Sequence, residues 1–364
     1  MPPEQPISIA WFITPHGFGH AARAAAVMLA LQRQIPVQFH LFTRVPRWFF
    51  DESHLTAYTY HECMTDIGLS QRTSLEEDLD ETLRRLAAFL PFDPALVSDL
   101  SRQVLAAQCR LIVCDIAPLG IAVAEAAGLP SVLVENFTWD WIYAGYPAEA
   151  ADFSKYIAIL SNWFERAVVH VQTEPVCAPE PCALTTLPVS RPRIQPRAEI
   201  RAALGLSEDT PAVLVTMGGI ETHLSALERL RGYPGVTFIV PGGAPSAARS
   251  GSAILLPHHS GFYHPDLLAA CDAVVGKLGY STLAEAWNAA VPFGFIPRAR
   301  FRESPPLARY VLQHMQGVSI SEQAFSSGEW LDEIPGLLRM PRGQPHSRNG
   351  ADQLAEWLRA QFLH

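Results

Sequence analysis

The residues near the start of the chain with the clearest chemical potential are two histidines that enclose two glycines. His16, Gly17, Gly19 and His20 lie in ITPHGFGHAAR, residues 13–23, between an apolar run and an alanine-rich one. A glycine loop between a strand and a helix commonly binds phosphate through its backbone N–H groups. A histidine at the edge of a cleft has the pKa needed to accept a proton from a hydroxyl. The stretch therefore predicts a phosphate site or a general base.

His20 is the candidate base, and Asp115 is the acidic residue best placed to support it. Asp115 ends the apolar run LIVCD. A carboxylate beside a histidine orients the ring and stabilises the imidazolium. The alternative for Asp115 is an N-cap of the helix that follows. His16 is expected to contact a substrate or to pack the loop.

The same glycines allow a second interpretation. Gly17-x-Gly19-x-x-Ala22 is a weak match to a dinucleotide-binding fingerprint. Such sites usually carry an acidic residue after the second strand, but Arg44 stands there and would at most suit a 2′-phosphate. An NADP-dependent oxidoreductase is therefore one alternative function.

The second half of the chain contains the stronger candidate for a diphosphate site. In GKLGYSTLAEAW, residues 276–287, two glycines follow an apolar strand, and Ser281 and Thr282 open a helix. The N–H groups and the dipole of a helix N-terminus favour a phosphate or a diphosphate. Thr282-x-x-Glu285 is also a capping box, so these two side chains could instead close the helix end.

Two further stretches of the second half support a binding site. VTMGG, residues 215–219, places Gly218 and Gly219 after another strand. Two glycine turns favour a ligand with an extended phosphate, although these glycines could only supply a positive φ. PHHSGFYHP adds histidines, among them His258. These histidines could belong to the binding site or could only contact solvent. No carboxylate or cysteine shares a ligand spacing with them, so no metal is predicted.

The stretch NFTWDWIY, residues 136–143, is rich in aromatic residues just after a strand. Trp139 and Trp141 could stack on a sugar or a hydrophobic acceptor, or could fill the space between domains. We expect one of them to do the latter. Asp140, which lies between them, is expected among the substrate contacts.

The composition is that of a folded two-domain protein. The chain has 364 residues, of which 49% are hydrophobic and 17% charged. Its net charge of −9 argues against general electrostatic binding of nucleic acid. The N-terminus has no signal-peptide pattern, and no apolar run is long enough to span a membrane. The six cysteines form no CxxC pair, which favours free thiols in a cytoplasmic protein.

Apolar strand-like runs alternate with helix-forming stretches in both halves of the chain, which predicts parallel sheets covered by helices. We expect an N-terminal Rossmann-like domain at residues 1–187, a proline-rich linker at 188–198 and a C-terminal Rossmann-like domain at 199–345. Residues 346–364 are predicted to form a helix that packs back toward the N-terminal domain. Ligands would then bind at the carboxyl ends of the strands, in the cleft between the domains.

Together these motifs resemble the GT-B glycosyltransferases, α/β proteins in which two Rossmann-like, doubly wound domains face each other across a cleft. The similarity to a bacterial subgroup is carried by HGFGHAAR, CDIAPLGIAVAEAAGLPSVLVENFTWDWIY and GKLGYSTLAEAW followed by PFGFIPRARFRESPPLAR. That subgroup is also similar to the glycosyltransferase-like front half of plant arabinokinase-type proteins. The resemblance covers nearly the whole chain, without the kinase half.

The resemblance implies a role for each candidate residue. His20 would be the base with Asp115 as its acidic partner, and Glu285 would bind the ribose hydroxyls. The donor would be held by Gly218, Gly219, His258, Gly276, Lys277, Gly279, Tyr280, Ser281, Thr282 and Glu285. Further substrate contacts would come from His16, Gly17, Gly19, Trp139, Asp140 and Glu303. Arg302 and Ser304 stand where the subgroup commonly has Asn and Glu, which leaves the identity of the sugar open.

The activity implied by the resemblance is the metal-independent, inverting transfer of a sugar from a UDP-sugar to an acceptor hydroxyl, without a cofactor. The partners would be a small-molecule donor and an acceptor. A sugar-nucleotide epimerase on the same fold and a non-catalytic protein that binds a nucleotide sugar are the alternatives. The sequence assigns neither the acceptor nor the oligomeric state.

Overall fold

In the part of the chain that the structure describes, two seven-stranded sheets form the framework, and a two-stranded sheet is separate from them. The computed structural model describes residues 5–73, 75–217 and 227–363. The strands of the first half are β1 (Ile7–Ile13), β2 (Val37–Thr43), β3 (Tyr58–Glu62), β4 (Ser70–Gln71), β5 (Glu77–Asp78), β6 (Leu111–Asp115), β7 (Ser131–Glu135), β8 (Val169–Thr173) and β9 (Leu184–Thr186). Those of the second half are β10 (Ala212–Thr216), β11 (Thr237–Pro241), β12 (Ala248–Ser250), β13 (Ala253–Leu256), β14 (Ala273–Lys277), β15 (Phe293–Ile296) and β16 (Gly317–Ser319).

Helices connect most of these strands. In the first half they are α1 (Gly19–Gln32), α2 (Arg47–Glu52), α3 (Leu79–Phe89), α4 (Pro94–Ala106), α5 (Pro118–Ala127), α6 (Trp139–Tyr143) and α7 (Ala150–Glu165). In the second half they are α8 (Arg197–Ala203), α9 (Leu227–Arg231), α10 (His264–Ala270), α11 (Tyr280–Ala289), α12 (Ser304–His314), α13 (Glu322–Ser327), α14 (Ile334–Arg339) and α15 (Gly350–Phe362).

The strand order identifies both sheets as open α/β sheets. The first sheet has the order β3-β2-β1-β6-β7-β8-β9, with all neighbours parallel. The second has the order β12-β13-β11-β10-β14-β15-β16, in which only the β12–β13 pair is antiparallel. The strands LIVCD and AVLVT are buried at every residue, as expected when helices cover both faces. The predicted α/β class is thus confirmed.

The topology brings the starts of two helices together. β1 and β6 are neighbours, and Ile13 pairs with Asp115 at their carboxyl ends. The loop after β1 turns at Gly17, whose φ of +67° suits glycine, and α1 begins two residues later. A Cβ built on Gly19 would lie 3.8 Å from Ser281 Oγ, so the start of α1 faces the start of α11.

The terminal helix α15 packs against α1 of the first half. Ala351, Leu354, Ala355 and Leu358 belong to the hydrophobic core that also contains α1. The limits of the two domains stay predictions. Among the described residues, no helix combines the length and the apolar character needed to cross a membrane.

Candidate functional site

Two adjoining cavities lie between the two halves of the chain. The large cavity has a volume of about 1100 Å³ with its open mouth included, and its lining contains Phe18, Thr216, His258, Tyr263, Thr282 and Glu285. The small cavity, of about 650 Å³ measured in the same way, is lined by residues that include His16, His20, Gln71, Lys277, Arg298 and Glu303. Ser281 and Thr282 line both, so the start of α11 lies where the two cavities meet.

His20 and Asp115 form a buried pair at the wall of the small cavity. Nδ1 of His20 lies 2.9 Å from Oδ1 of Asp115, and the two residues are only 7% and 1% exposed. The alternative role of Asp115 as an N-cap is wrong, because the N-cap of α5 is Ala117 and no side chain caps that helix. With Nδ1 donating to the carboxylate, Nε2 is the ring nitrogen left to act as a base.

Arg23 makes a second, closer contact with the same carboxylate. Its Nε donates to Oδ2 of Asp115 over 2.8 Å and its Nη2 to Oδ1 over 2.6 Å. Nη1 donates to Oδ1 of Asn136 over 2.8 Å. Sequence reasoning missed Arg23, although its position three residues after His20 in HAAR places both side chains on one face of α1.

These contacts keep the carboxylate ionised. Burial would raise the pKa of Asp115, but the charge of Arg23 and the hydrogen bonds from Arg23 and His20 hold that pKa below its ordinary value. Burial likewise opposes the charge on Arg23, and Asp115 more than compensates, raising the pKa of the guanidinium. Asp115 is therefore a permanent acceptor for the N–H of His20.

His16 is held as a neutral ring on the opposite side of the loop. Its Nδ1 accepts a hydrogen bond of 3.3 Å from the backbone N–H of Leu69. Burial, together with nearby positive charges of which Arg298 contributes most, holds the pKa of His16 well below its ordinary value. The neutral ring then carries its proton on Nε2, which makes His16 a hydrogen-bond donor at the small cavity.

The structure corrects the expectation for Trp139 and Asp140. Trp139 is 0% exposed, and its ring centroid lies 5.0 Å from that of His16 and 6.2 Å from that of His20. A fully buried ring has no surface for a sugar. Trp139 instead packs against the two histidines. Asp140 lies in the first turn of α6 and lines neither cavity.

The glycines of GKLGYST have two different roles. Gly279 is the N-cap of α11, no side chain caps this helix, and no described atom lies within 4 Å of a Cβ built on Gly279. A ligand can therefore approach the helix start closely. Gly276 lies within β14, where a Cβ would lie 2.1 Å from the carbonyl oxygen of Thr216. The predicted contact of Gly276 with the donor is therefore corrected. The glycine is needed at this position because it allows β14 to pack closely on β10.

Tyr280 joins the start of α11 to the connector between the halves. Its hydroxyl accepts a hydrogen bond of 3.0 Å from the backbone N–H of Val189. Its ring lies 5.0 Å from the guanidinium carbon of Arg23. Tyr280 lines the small cavity with little exposed surface, so its main contribution is to fix α11 against α1.

Glu285 does not form the capping box that its spacing allows. α11 begins at Tyr280, which puts Thr282 inside the helix. Glu285 is 4% exposed; its Oε1 accepts from Arg191 over 2.9 Å, and its Oε2 lies 2.7 Å from Nδ1 of His264. Burial would raise the pKa of Glu285, but Arg191 and His264 hold it below its ordinary value. Sequence reasoning missed both partners, although His264 is one of the histidines of PHHSGFYHP.

The remaining donor candidates divide between described and undescribed residues. His258 lines the large cavity beside Gly242, where a Cβ would lie 2.7 Å from Cε1 of the ring. Gly218 and Gly219 lie outside the described residues. Within the described ranges, no group of three or more His, Cys, Asp and Glu side chains is arranged to hold a metal ion.

Two cations face the small cavity from the second half. Burial, with a smaller contribution from Arg298, lowers the pKa of Lys277 to about 7. Arg298 is 5% exposed, and its Nε and Nη1 have no hydrogen-bond acceptor among the described residues. Its guanidinium carbon lies 3.4 Å from the centroid of the Phe301 ring. Sequence reasoning did not single out Arg298.

Glu303 connects this region to the first half. Its Oε1 accepts a hydrogen bond of 2.9 Å from Asn136, and its Oε2 lies 3.9 Å from Nη2 of Arg298. Arg302 and Ser304, the two residues that depart from the subgroup pattern, make hydrogen bonds that hold the same loop. Arg302 donates to the carbonyl oxygen of Trp141 over 2.6 Å, and Ser304 Oγ accepts from the backbone N–H of Arg298 over 3.0 Å.

Comparison with curated proteins gives one relative, and the match covers only part of that protein's length. No family model matches the chain. The L-arabinokinase of Arabidopsis thaliana is 27% identical over 330 residues, which are 88% of this chain and 31% of that protein. The chain thus spans about a third of the length of this relative.

Solved structures give a clearer likeness over the full length. The spinosyn forosaminyltransferase SpnP has a TM-score of 0.61 at 15% identity, over 97% of this chain and 94% of that chain. A UDP-glucosyltransferase from Polygonum tinctorium has a TM-score of 0.60 at 13% identity, over 99% of this chain and 95% of that chain. The glycosyltransferase VinC, solved in complex with DTDP, has a TM-score of 0.58 at 14% identity, over 97% of this chain and 94% of that chain. The chain has the GT-B fold of these structures.

Proposed function

We propose that this protein is a glycosyltransferase that moves a sugar from a nucleoside diphosphate sugar, with UDP as the nucleotide, to an acceptor hydroxyl. The observation that carries the proposal is the meeting of two features in one cleft. The His20–Asp115 pair from the first half faces the uncapped start of α11 from the second half. A general base and an anion site are thus available on opposite sides of one small cavity.

The donor is assigned to the cleft by the chemistry of its lining. The large cavity takes the nucleoside, with Glu285 near the ribose hydroxyls and His258 near the base. The diphosphate lies at the start of α11, where free N–H groups and the helix dipole favour negative charge. The names of two structural neighbours, a UDP-glucosyltransferase and a complex with DTDP, support a pyrimidine nucleotide.

The proposed reaction is a single inverting displacement. Nε2 of His20 accepts the proton of the acceptor hydroxyl while the oxygen attacks the anomeric carbon and the bond to the diphosphate breaks. Asp115 accepts the N–H of the ring and stabilises the imidazolium that forms. The start of α11 and Lys277 supply positive potential for the leaving diphosphate, so the proposal includes no metal ion.

The donor assignment predicts which nucleotides stabilise the protein. A ligand that binds only the folded chain raises the melting temperature, by an amount that grows with the logarithm of 1 + [L]/Kd. In a panel of nucleoside diphosphates and their sugars, UDP and UDP-sugars should give the largest increase. Glu285→Ala should reduce this increase, whereas Glu228→Ala, which changes an exposed carboxylate of the same half, should retain it in full. An equal response in the two variants would contradict the ribose assignment.

Product analysis with the donor identified in this way separates transfer from its alternatives. Transfer releases UDP and places the sugar on an acceptor or on water. An epimerase would instead return a changed nucleotide sugar in the absence of any acceptor. Binding without a product after long incubation would favour a non-catalytic protein and contradict the proposed reaction.

A further inference from the structure

The strongest feature that the proposed reaction leaves unused is the buried guanidinium of Arg298. Two of its nitrogens, Nε and Nη1, have no acceptor among the described residues, although the residue is only 5% exposed. Buried polar groups are almost always hydrogen-bonded, and a buried charge without a close partner is costly. Arg298 lines the small cavity, so its donors are available to a ligand there.

A second unpaired donor faces the same cavity from the first half of the chain. The side-chain nitrogen Nε2 of Gln71 has no acceptor among the described residues, and Gln71 lines the small cavity. The nearest carboxylate cannot satisfy Arg298, because Glu303 Oε2 lies 3.9 Å from Nη2 and Oε1 already accepts from Asn136. The charges of Glu303 and Glu77 offset part of the charge of Arg298, but neither carboxylate accepts from its Nε or Nη1. The lining of the cavity therefore holds buried donors without acceptors.

The position of Arg298 separates it from the diphosphate site. Arg298 and Gln71 line the small cavity and do not line the large one. The start of α11, where we place the diphosphate, lies between the two cavities. A donor whose nucleoside fills the large cavity would therefore extend its sugar, followed by the acceptor, toward Arg298.

We propose that Arg298, assisted by Gln71, binds a carboxylate of the substrate, carried by a uronic acid sugar on the donor or by an acidic acceptor. A planar guanidinium matches a carboxylate with two parallel hydrogen bonds. The hydroxyls of a neutral sugar could accept from the same nitrogens but, unlike a carboxylate, would add no negative charge to that of Glu303, which lies 3.9 Å from Nη2. This inference rests on the proposed function, because it takes the position of the donor from it.

The donor form of the inference is tested by calorimetric titration with UDP, UDP-glucose and UDP-glucuronate. The wild-type chain should bind UDP-glucuronate about 10- to 100-fold more tightly than UDP-glucose, the range expected of a hydrogen bond to a charged group. Arg298→Gln should remove this preference and leave UDP binding at least as tight as in the wild-type chain, because loss of the Arg298 charge favours the charged form of Lys277. Arg298→Lys should retain part of the preference. Arg300→Gln, an exposed neighbour whose partner is Glu149, should behave as wild type.

The acceptor form is tested on the complex with UDP. If the two nucleotide sugars bind equally, free glucuronate should bind the UDP complex more tightly than free glucose does, and Arg298→Gln should again remove the difference. No preference for the acid in either titration would overturn the inference.

Two other outcomes separate this inference from the proposed function. Loss of UDP affinity in Arg298→Gln, with Arg300→Gln unaffected, would make Arg298 a ligand of the diphosphate; it would overturn the carboxylate site and leave the proposed function intact. A wild-type chain that binds none of the nucleotides would contradict the proposed function itself, and the inference with it.

Discussion

At the scale of single residues, the central feature is one carboxylate shared by two donors. Asp115 accepts from His20 and, through two nitrogens, from Arg23. The arginine keeps Asp115 ionised despite its burial. His20 therefore has a fixed partner, and its ring orientation does not depend on a bound ligand.

The Arg23–Asp115 pair predicts a large effect on stability. Arg23→Met leaves a buried carboxylate with only the hydrogen bond from His20. Removing one partner of a buried ion pair typically costs about 3–5 kcal/mol. Urea unfolding should therefore show a loss of that order in the free energy of unfolding.

A matched control lies at the C-terminal end of the same helix, where Arg33 is the C-cap residue. Arg33 pairs with Asp352 at the surface, where its side chain is 53% exposed. Arg33→Met should cost no more than about 1 kcal/mol, as is usual for exposed pairs. Equal losses in the two variants would show that Arg23 has no special role.

The types and positions of residues along the chain were enough to predict the pairing of His20 with Asp115. His20 follows β1 and Asp115 ends β6, and the parallel sheet places these two strands side by side. Arg23, Asn136 and Arg298 were not predicted, because their roles depend on contacts between distant parts of the chain. The capping box at Thr282 was wrong for the same reason, since Glu285 pairs with Arg191, 94 residues away.

At the scale of elements, the turn from β14 into α11 determines the anion site. The sequence predicted a helix that opens at Ser281 and Thr282, whereas α11 begins at Tyr280. Gly279 leaves the helix start open, and Lys277 ends the strand before it. This turn thus places an ammonium group and uncapped N–H groups side by side.

The pKa of Lys277 predicts a pH dependence for UDP binding. Burial and Arg298 lower it to about 7, so the free protein is largely neutral at this position by about pH 8. A diphosphate beside the ammonium group favours the charged form, so binding should take up a proton, and affinity should fall as pH rises above about 7. Calorimetry in buffers of different ionisation enthalpy measures this uptake.

The chain supplies a matched control for that measurement. Lys277→Gln should remove the proton uptake and weaken UDP binding. Lys155→Gln, which changes an exposed lysine of α7, should retain both. Undiminished uptake in Lys277→Gln would assign the proton to another group.

At the scale of the whole molecule, a chain of hydrogen bonds crosses the cleft. Asp115 binds Arg23, Arg23 binds Asn136, and Asn136 binds Glu303 of the second half. The alternation of strands and helices was sufficient to predict two open α/β halves and a cleft. It could not predict which side chains bridge that cleft, because those contacts depend on how the halves pack.

The proposed base lies in the first half and the proposed donor site in the second, so a change at His20 should affect turnover alone. The most direct test compares UDP release and UDP binding in His20→Ala and in the wild-type chain, with the nucleotide sugar that stabilises the protein most. General base catalysis is typically worth about 10²–10⁴-fold, so UDP release should fall by that factor while the affinity for UDP stays the same. Wild-type turnover in His20→Ala would contradict the assignment of His20 as the base.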